Sequence, residues 1–238
     1  METMSRRQFV TALAGSAAGI FGMGQIALGA DQPAATPAPA AGPHQVKPLK
    51  FAANALRGIS EEVVNLHHDR HYAGYVKKRN DIDVQLVALG PGTQGFDARV
   101  FAGVKRDEAF NTSGMVLHEV YFDNLGGDGK PGAGAAEQAI LGRFGSIEKW
   151  VAEMTAVGAQ ATGWALLCHD PSDARLHVQL VDGHQLGAVW GAVPVPALDV
   201  IEHAYYKDFG PDRAKYMTAF FDNLHWGRVN ERYAAAVR

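Results

Sequence analysis

Ser60-Glu61-Glu62-Val63, continuing through His67-His68-Asp69-Arg70-His71-Tyr72-Ala73-Gly74-Tyr75-Val76, is the stretch whose reading decides how this chain folds. A serine followed by two acids is the chemistry of a helix start. The hydroxyl accepts a free backbone N–H, and the carboxylates suit the positive end of the helix dipole. Apolar positions at Val63, Val64, Leu66, Tyr72 and Tyr75 carry that helix to about Asn80. A second helix is predicted over Asp107–Asn124, with Phe110, Val116, Leu117, Val120 and Tyr121 as its apolar residues. It must stop at Gly126-Gly127-Asp128-Gly129-Lys130-Pro131-Gly132, a run dense in helix breakers. Two long helices over 60–125 make an antiparallel hairpin.

Beyond the glycine run the character changes. Helical patterns near 134–144 and 146–158 precede β-like runs at Trp164–His169 and Arg175–Val181. A third run, Val193-Pro194-Val195-Pro196-Ala197-Leu198-Asp199-Val200, carries two prolines and should be an edge or short strand. Helical patterns return from Asp212 to the C-terminus. The class is α+β: an N-terminal antiparallel α-hairpin domain (51–130), then a domain (131–238) with a small, about three-stranded antiparallel sheet flanked by helices.

The front of the chain reads as an address. Ser5-Arg6-Arg7-Gln8-Phe9-Val10 is a twin-arginine pattern, and Thr11–Ala30 holds no charge but many small residues. Residues 1–30 therefore resemble a Tat export signal, with bacterial periplasmic or other exported localisation and the Tat machinery as a partner. About 20 residues can cross a bilayer, but one so rich in glycine and alanine makes a poor anchor, so no stable membrane attachment is expected. Pro33, Pro37, Pro39, Pro43 and Pro48 mark residues 31–50 as an extended linker, which puts the start of the folded part near Phe51.

Composition narrows the classes. The 238 residues carry a formal net charge of −3, so no basic footprint for nucleic acid is present. Cys168 is the one cysteine, which excludes a disulfide scaffold and a Cys-ligated cluster. Gly127–Gly132 formally matches GxGxxG, but it follows a helix and contains Pro131, so it reads as an interdomain loop. The Asn111-Thr112-Ser113 sequon falls inside a predicted helix. There is no GxSxG elbow and no P-loop.

The ten histidines are the unusual feature. His67 and His71 are four apart on the first helix, with Tyr75 four further on. His118 lies on the second helix, and Asp199-Val200-Ile201-Glu202-His203 ends the last strand. Together these elements can offer three imidazoles and a carboxylate, a set suited to iron, manganese or zinc and too nitrogen-rich for calcium or magnesium. Spacing alone leaves open which of His67, His68 and His71 ligates, and whether the chemistry is redox or hydrolytic.

His67–Val76 is similar to the first helix of iron/manganese superoxide dismutases, and Asp199-Val200-Ile201-Glu202-His203-Ala204-Tyr205-Tyr206 resembles that family's DVWEHAYY signature. The similarity extends through Phe96–Leu125, Gly163-Trp164-Ala165-Leu166 and Asn223–Tyr233. The resemblance implies conversion of superoxide to dioxygen and hydrogen peroxide by one Fe or Mn ion per subunit, held by His67, His118, Asp199 and His203. It places His71 and Tyr75 at the entrance, has Trp164 wall the site, and lets a solvent molecule complete the coordination. Glu202 would bond to His203 of another subunit, and Tyr206 to His71 there, in a homodimer or tetramer. Arg213, near the mouth, is a candidate for attracting the anion.

Three departures stand out. Ile201 and Phe122 replace tryptophans of the family pattern, and Gly114 stands where some members carry a glutamine facing the bound solvent. The alternative source lies in Val181-Asp182-Gly183-His184-Gln185, where an ungapped count favours His184 and a one-residue slip would offer Gln185. That substitution bears on the metal, with iron slightly ahead of manganese and either one acceptable. The rivals are a mononuclear zinc hydrolase on the same four residues and a metal-binding homologue that has lost catalysis.

Overall fold

The computed structural model describes residues 42–238. The expected export signal and the first part of the expected linker lie outside the described residues. Among the described residues no helix is long and apolar enough to cross a membrane.

The first helix is a run in three pieces: α1 (Glu61–Leu66), a π-helical turn (His67–Tyr72) and α2 (Ala73–Ala88). Ser60 caps it as expected, its Oγ accepting the Val63 N–H at 3.2 Å. The helix outlasts the expected end at Asn80, because Val84 and Val87 are exposed and show no buried periodicity although the backbone stays helical. Gly90-Pro91-Gly92 ends it. α3 (Ala98–Asp123) likewise starts earlier than Asp107. Asp97 is its cap, accepting from the Arg99 and Val100 N–H groups, and its solvent-facing first turns carry little apolar signal. α2 and α3 form the hairpin.

The boundary at Phe51 also moves. Residues 43–50 form no helix or strand, as their prolines require, yet they are bonded to the hairpin. The His44 N–H donates to Asn80 Oδ1 at 3.1 Å, and Asn80 Nδ2 donates back to the His44 carbonyl at 2.9 Å. The folded part therefore starts at about His44.

The second domain runs α4 (Ala135–Phe144), α5 (Ile147–Gln160), β1 (Trp164–Asp170), β2 (Arg175–Val181), β3 (Val193–Asp199), a 3₁₀ turn (Glu202–Ala204), α6 (Tyr206–Phe209), α7 (Arg213–Asp222) and α8 (Trp226–Ala236). Gly145, at φ 87°, ends α4 in the left-handed conformation open to glycine, and Ser146 then caps α5. The antiparallel sheet has the order β2-β1-β3, so the proline-bearing β3 is an edge, where a missing N–H costs no ladder bond. β1 pairs Trp164 with Val181 on one side and with Asp199 on the other. That register sets a tryptophan beside the carboxylate at the end of the sheet facing the hairpin. Trp150, Trp164, Tyr121, Tyr216 and Phe220 are among the largest fully buried side chains. Each such apolar burial contributes on the order of 1.5–3 kcal/mol relative to exposure.

Candidate metal centre

His67 sits at the start of the π-helical turn, where the i→i+5 pattern inserts an extra residue and re-aims the side chains around it. Both His67 and the next residue, His68, are buried, but they face different neighbours. His68 Nε2 donates to the Lys47 carbonyl at 2.8 Å, and its Nδ1 lies 2.7 Å from Asp69 Oδ1. His68 is thereby occupied elsewhere. His71 is exposed and stacks on the His203 ring at 4.0 Å.

His118 comes from the middle of α3 and is fully buried. Its Nδ1–H donates to the Gly114 carbonyl at 2.6 Å, one helical turn back. A carbonyl can only accept, so this bond fixes the tautomer and leaves Nε2 as a free lone pair. Asp199, also fully buried, ends β3, where its Oδ1 accepts the Ile201 N–H at 2.9 Å and Oδ2 turns the other way. Around Oδ2 stand the Nε2 atoms of His67 at 3.2 Å, His203 at 3.2 Å and His118 at 3.7 Å. One donor atom from each of these four residues lies within 4.8 Å of the others.

The cluster is ready to hold a cation. His67 Nε2 and His118 Nε2 are buried without a hydrogen-bond partner. His67 Nε2 lies 3.2 Å from Asp199 Oδ2 without meeting hydrogen-bond geometry, whereas His203 Nε2 at the same distance does bond that oxygen. Burial lowers the His67 imidazole to about 4 and His118 well below its ordinary value. Burial alone would raise the Asp199 carboxyl, but the neighbouring His203 and His67 hold it well below the usual carboxylate range. The group thus presents two neutral imidazoles, His67 and His118, with the His203 ring and one carboxylate beside them, the donor set of a mid-transition metal.

On one flank, Trp164 Nε1–H donates to His184 Nδ1 at 3.0 Å, and His184 Nε2 is 2.7 Å from the Tyr75 hydroxyl. Because the indole can only donate, His184 Nδ1 accepts and Nε2 carries the proton given to Tyr75. Burial lowers His184 to about 4, which keeps that neutral form. Burial, and then the Asp199 charge, push the Tyr75 phenol up to about 12. Gln185 takes no part in this chain, since its Oε1 is buried without a hydrogen-bond partner. At Gly114 an added Cβ would lie 2.8 Å from Tyr75 Cδ1, so the ring occupies the space a side chain there would need.

Glu202, on the 3₁₀ turn that carries His203, and Tyr206, at the start of α6, are both exposed. Arg213 is otherwise engaged than expected. Its Nη1 donates to the Gly158 and Ala161 carbonyls at 3.2 and 3.0 Å, closing the end of α5, and its Nε donates to the Tyr205 hydroxyl at 3.2 Å. The two tryptophan replacements remove no donor. Phe122 packs its ring 5.0 Å from His67, and Ile201 contributes the backbone N–H that holds Asp199. Sequence reasoning missed Tyr121, whose ring is 4.8 Å from His67, and Phe110, 4.6 Å from His184. Their helical spacing marked them only as apolar.

A family model described as the iron/manganese superoxide dismutase alpha-hairpin domain matches residues 43–126, and the model for that family's C-terminal domain matches residues 132–232. The chain is 43% identical over 200 residues to a Cupriavidus metallidurans protein named superoxide dismutase [Fe], covering 82% of this chain and 98% of that one. It is 40% identical over 197 residues to superoxide dismutase [Mn] 1 of Halobacterium salinarum, covering 81% and 96%. A third relative, superoxide dismutase [Fe] of Aquifex aeolicus, is 36% identical over 208 residues, covering 83% and 95%.

Proposed function

Since the chain belongs to the iron/manganese superoxide dismutase family, we propose a division of labour among its residues for that family's reaction. The activity is the conversion of two superoxide ions to dioxygen and hydrogen peroxide, with one iron or manganese ion as cofactor. The ion is held by His67, His118, Asp199 and His203. The observation that carries this is the pair of buried, partnerless Nε2 atoms converging with His203 Nε2 on one carboxylate oxygen. Bound there, iron or manganese supplies one-electron redox chemistry between its 3+ and 2+ states, which zinc lacks.

The protein's own residues handle the anion and the protons. Asp199 neutralises part of the cation's charge and leaves the cavity positive enough to attract superoxide despite the negative net charge. His71 and Tyr75 stand at the entrance. Peroxide formation consumes protons, and Tyr75 Oη, accepting from His184 Nε2, keeps its own hydrogen free to give to the reduced oxygen species. With the phenol raised to about 12 by burial, that proton is present at neutral pH. Trp164 closes one wall and locks the His184 tautomer.

Iron is the first-choice ion, with manganese accepted; His184 standing in for an amide at Tyr75 supports an intermediate preference. The assembly is a homodimer or tetramer in which Glu202 bonds the partner's His203 and Tyr206 the partner's His71, supported by the exposure of both side chains beside the site. Export through the twin-arginine route to the periplasm rests on Ser5-Arg6-Arg7-Gln8-Phe9 and the uncharged stretch after it. That route carries folded protein, which suits an ion loaded before export. Elemental analysis with a superoxide assay on protein from its native compartment tests these readings. Stoichiometric zinc with no superoxide turnover would overturn the metal assignment. Export of an Arg6→Lys/Arg7→Lys variant at the wild-type level would overturn the Tat route.

A further inference from the structure

The segment Val46–Lys50 crosses the hairpin at the level of the metal centre and is joined to both helices that supply its imidazoles. The Lys47 N–H donates to the Tyr72 hydroxyl at 3.0 Å, and the Lys47 carbonyl accepts from His68 Nε2 at 2.8 Å. His68 and Tyr72 belong to the same π-helical turn as His67. The Tyr72 hydroxyl in turn donates to Glu119 Oε1 at 3.1 Å, and Glu119 also pairs with the Lys47 ammonium. Glu119 follows His118 directly on α3. Tyr72 itself is buried, with its ring nearly parallel to that of His118, 6.5 Å between centroids and 14° between planes.

A phenol with both its donor and acceptor capacity used inside the protein, bridging three separate segments, does more than fill space. A π-helical turn is the less stable alternative to a regular one, because its hydrogen bonds are longer and its centre less well packed. Something must hold it in that register for His67 to keep its aim. We propose that Tyr72, anchored by the Lys47 main chain and by Glu119, is a positioning residue of the metal centre, setting the directions of His67 and His118 together. The inference rests on the assignment of His67 and His118 as ligands. The His118 ring thus has Tyr72 as one neighbour, at 6.5 Å, besides Tyr75 and Trp164, each at 5.1 Å. Loss of such outer partners costs a metal site roughly 10–100-fold in affinity.

Full-length Tyr72→Phe keeps the ring and removes only the hydroxyl. Its Fe-loaded form should release iron to a chelator about tenfold faster than wild type. The rhombicity of its high-spin ferric EPR spectrum should also change, a signature that a mere loss of stability does not move. Glu119→Ala should match it, whereas Glu119→Gln, which keeps an oxygen to accept from Tyr72, should behave as wild type. Asn80→Ala frees the same segment at its other end, at His44, away from the ligand-bearing turn. It should lower Tm while leaving release rate and spectrum unchanged. Wild-type release and spectrum in Tyr72→Phe and Glu119→Ala would overturn the proposal, as would an equal change in Asn80→Ala. A wild type that holds neither iron nor manganese would instead strike the ligand assignment itself, and the two failures are told apart by that measurement.

Discussion

The hairpin and the sheet domain each give two residues to the metal centre, and they do so by different means. The hairpin aims His67 and His118 from helix interiors, where the main chain is already satisfied and only side-chain direction remains to be set. It sets that direction with a π-helical turn and with the His118 bond to the Gly114 carbonyl. The sheet domain aims Asp199 and His203 from the end of an edge strand and the 3₁₀ turn beyond it, where backbone N–H groups are free to bind a carboxylate. A helix interior offers rigidity; a strand end offers donors. The imidazoles therefore come largely from helices, and the carboxylate comes from the place that can stabilise it.

That contrast can be broken at its strongest point first. Asp199→Ala removes the sheet's carboxylate and should abolish metal retention and superoxide turnover, a loss beyond the roughly 10–100-fold expected for an outer partner. Elemental analysis with an activity assay reads it, and near-wild-type iron content would mean the hairpin holds the ion without help. Metal removal comes next. Chelation should lower Tm, since a ligand at about 1,000 times its Kd contributes ~4 kcal/mol to the folded state. The melting scan should show the loss reversed on adding back Fe or Mn.

Gly114→Ala sharpens the hairpin side alone. The added methyl meets the Tyr75 ring at 2.8 Å, so a cost of about 1–3 kcal/mol is expected from overpacking. Superoxide turnover should fall more than metal content, because Tyr75 moves while the His118 carbonyl partner remains. Equal losses of both would place the damage at His118 instead. The smallest effect belongs to the sheet. Cys168 is buried in β1, and burial pushes its thiol up to about 12, so the neutral form persists through pH 8. Alkylation by iodoacetamide at pH 8 should be slow in the native protein and rapid once denaturant opens the sheet, as followed by mass shift. Prompt native labelling would mean that β1 opens locally.

Much of this was legible along the chain. Ser60 and the two acids after it marked the helix start, the glycine run marked the end of the hairpin, and the two prolines of β3 marked an edge. Each depends on a few neighbouring residues and the main chain between them. The helix limits were less legible, because Val84–Val87 has no buried residue and Ala98–Arg106 only one, Val104, too little to mark a helical face. Residues 44–50 read as linker because proline content reports the missing secondary structure and is silent on hydrogen bonds made to residues far along the chain.

The site divides the same way. Sequence by itself determined the residue types that can bind a metal, the helices and strand that carry them, and the resemblance that orders them. It left His67, His68 and His71 indistinguishable by spacing, and His184 open to exchange with Gln185. Only the tertiary structure separated these, because the choice turns on which nitrogen already has a partner. His68 is spent on Lys47 and Asp69, His71 is exposed and stacks on His203, and His67 is left with a buried Nε2 that has no hydrogen-bond partner. His184, not Gln185, meets both Tyr75 and Trp164. A ligand's identity is written locally, but its availability depends on every group that surrounds it once the chain has folded.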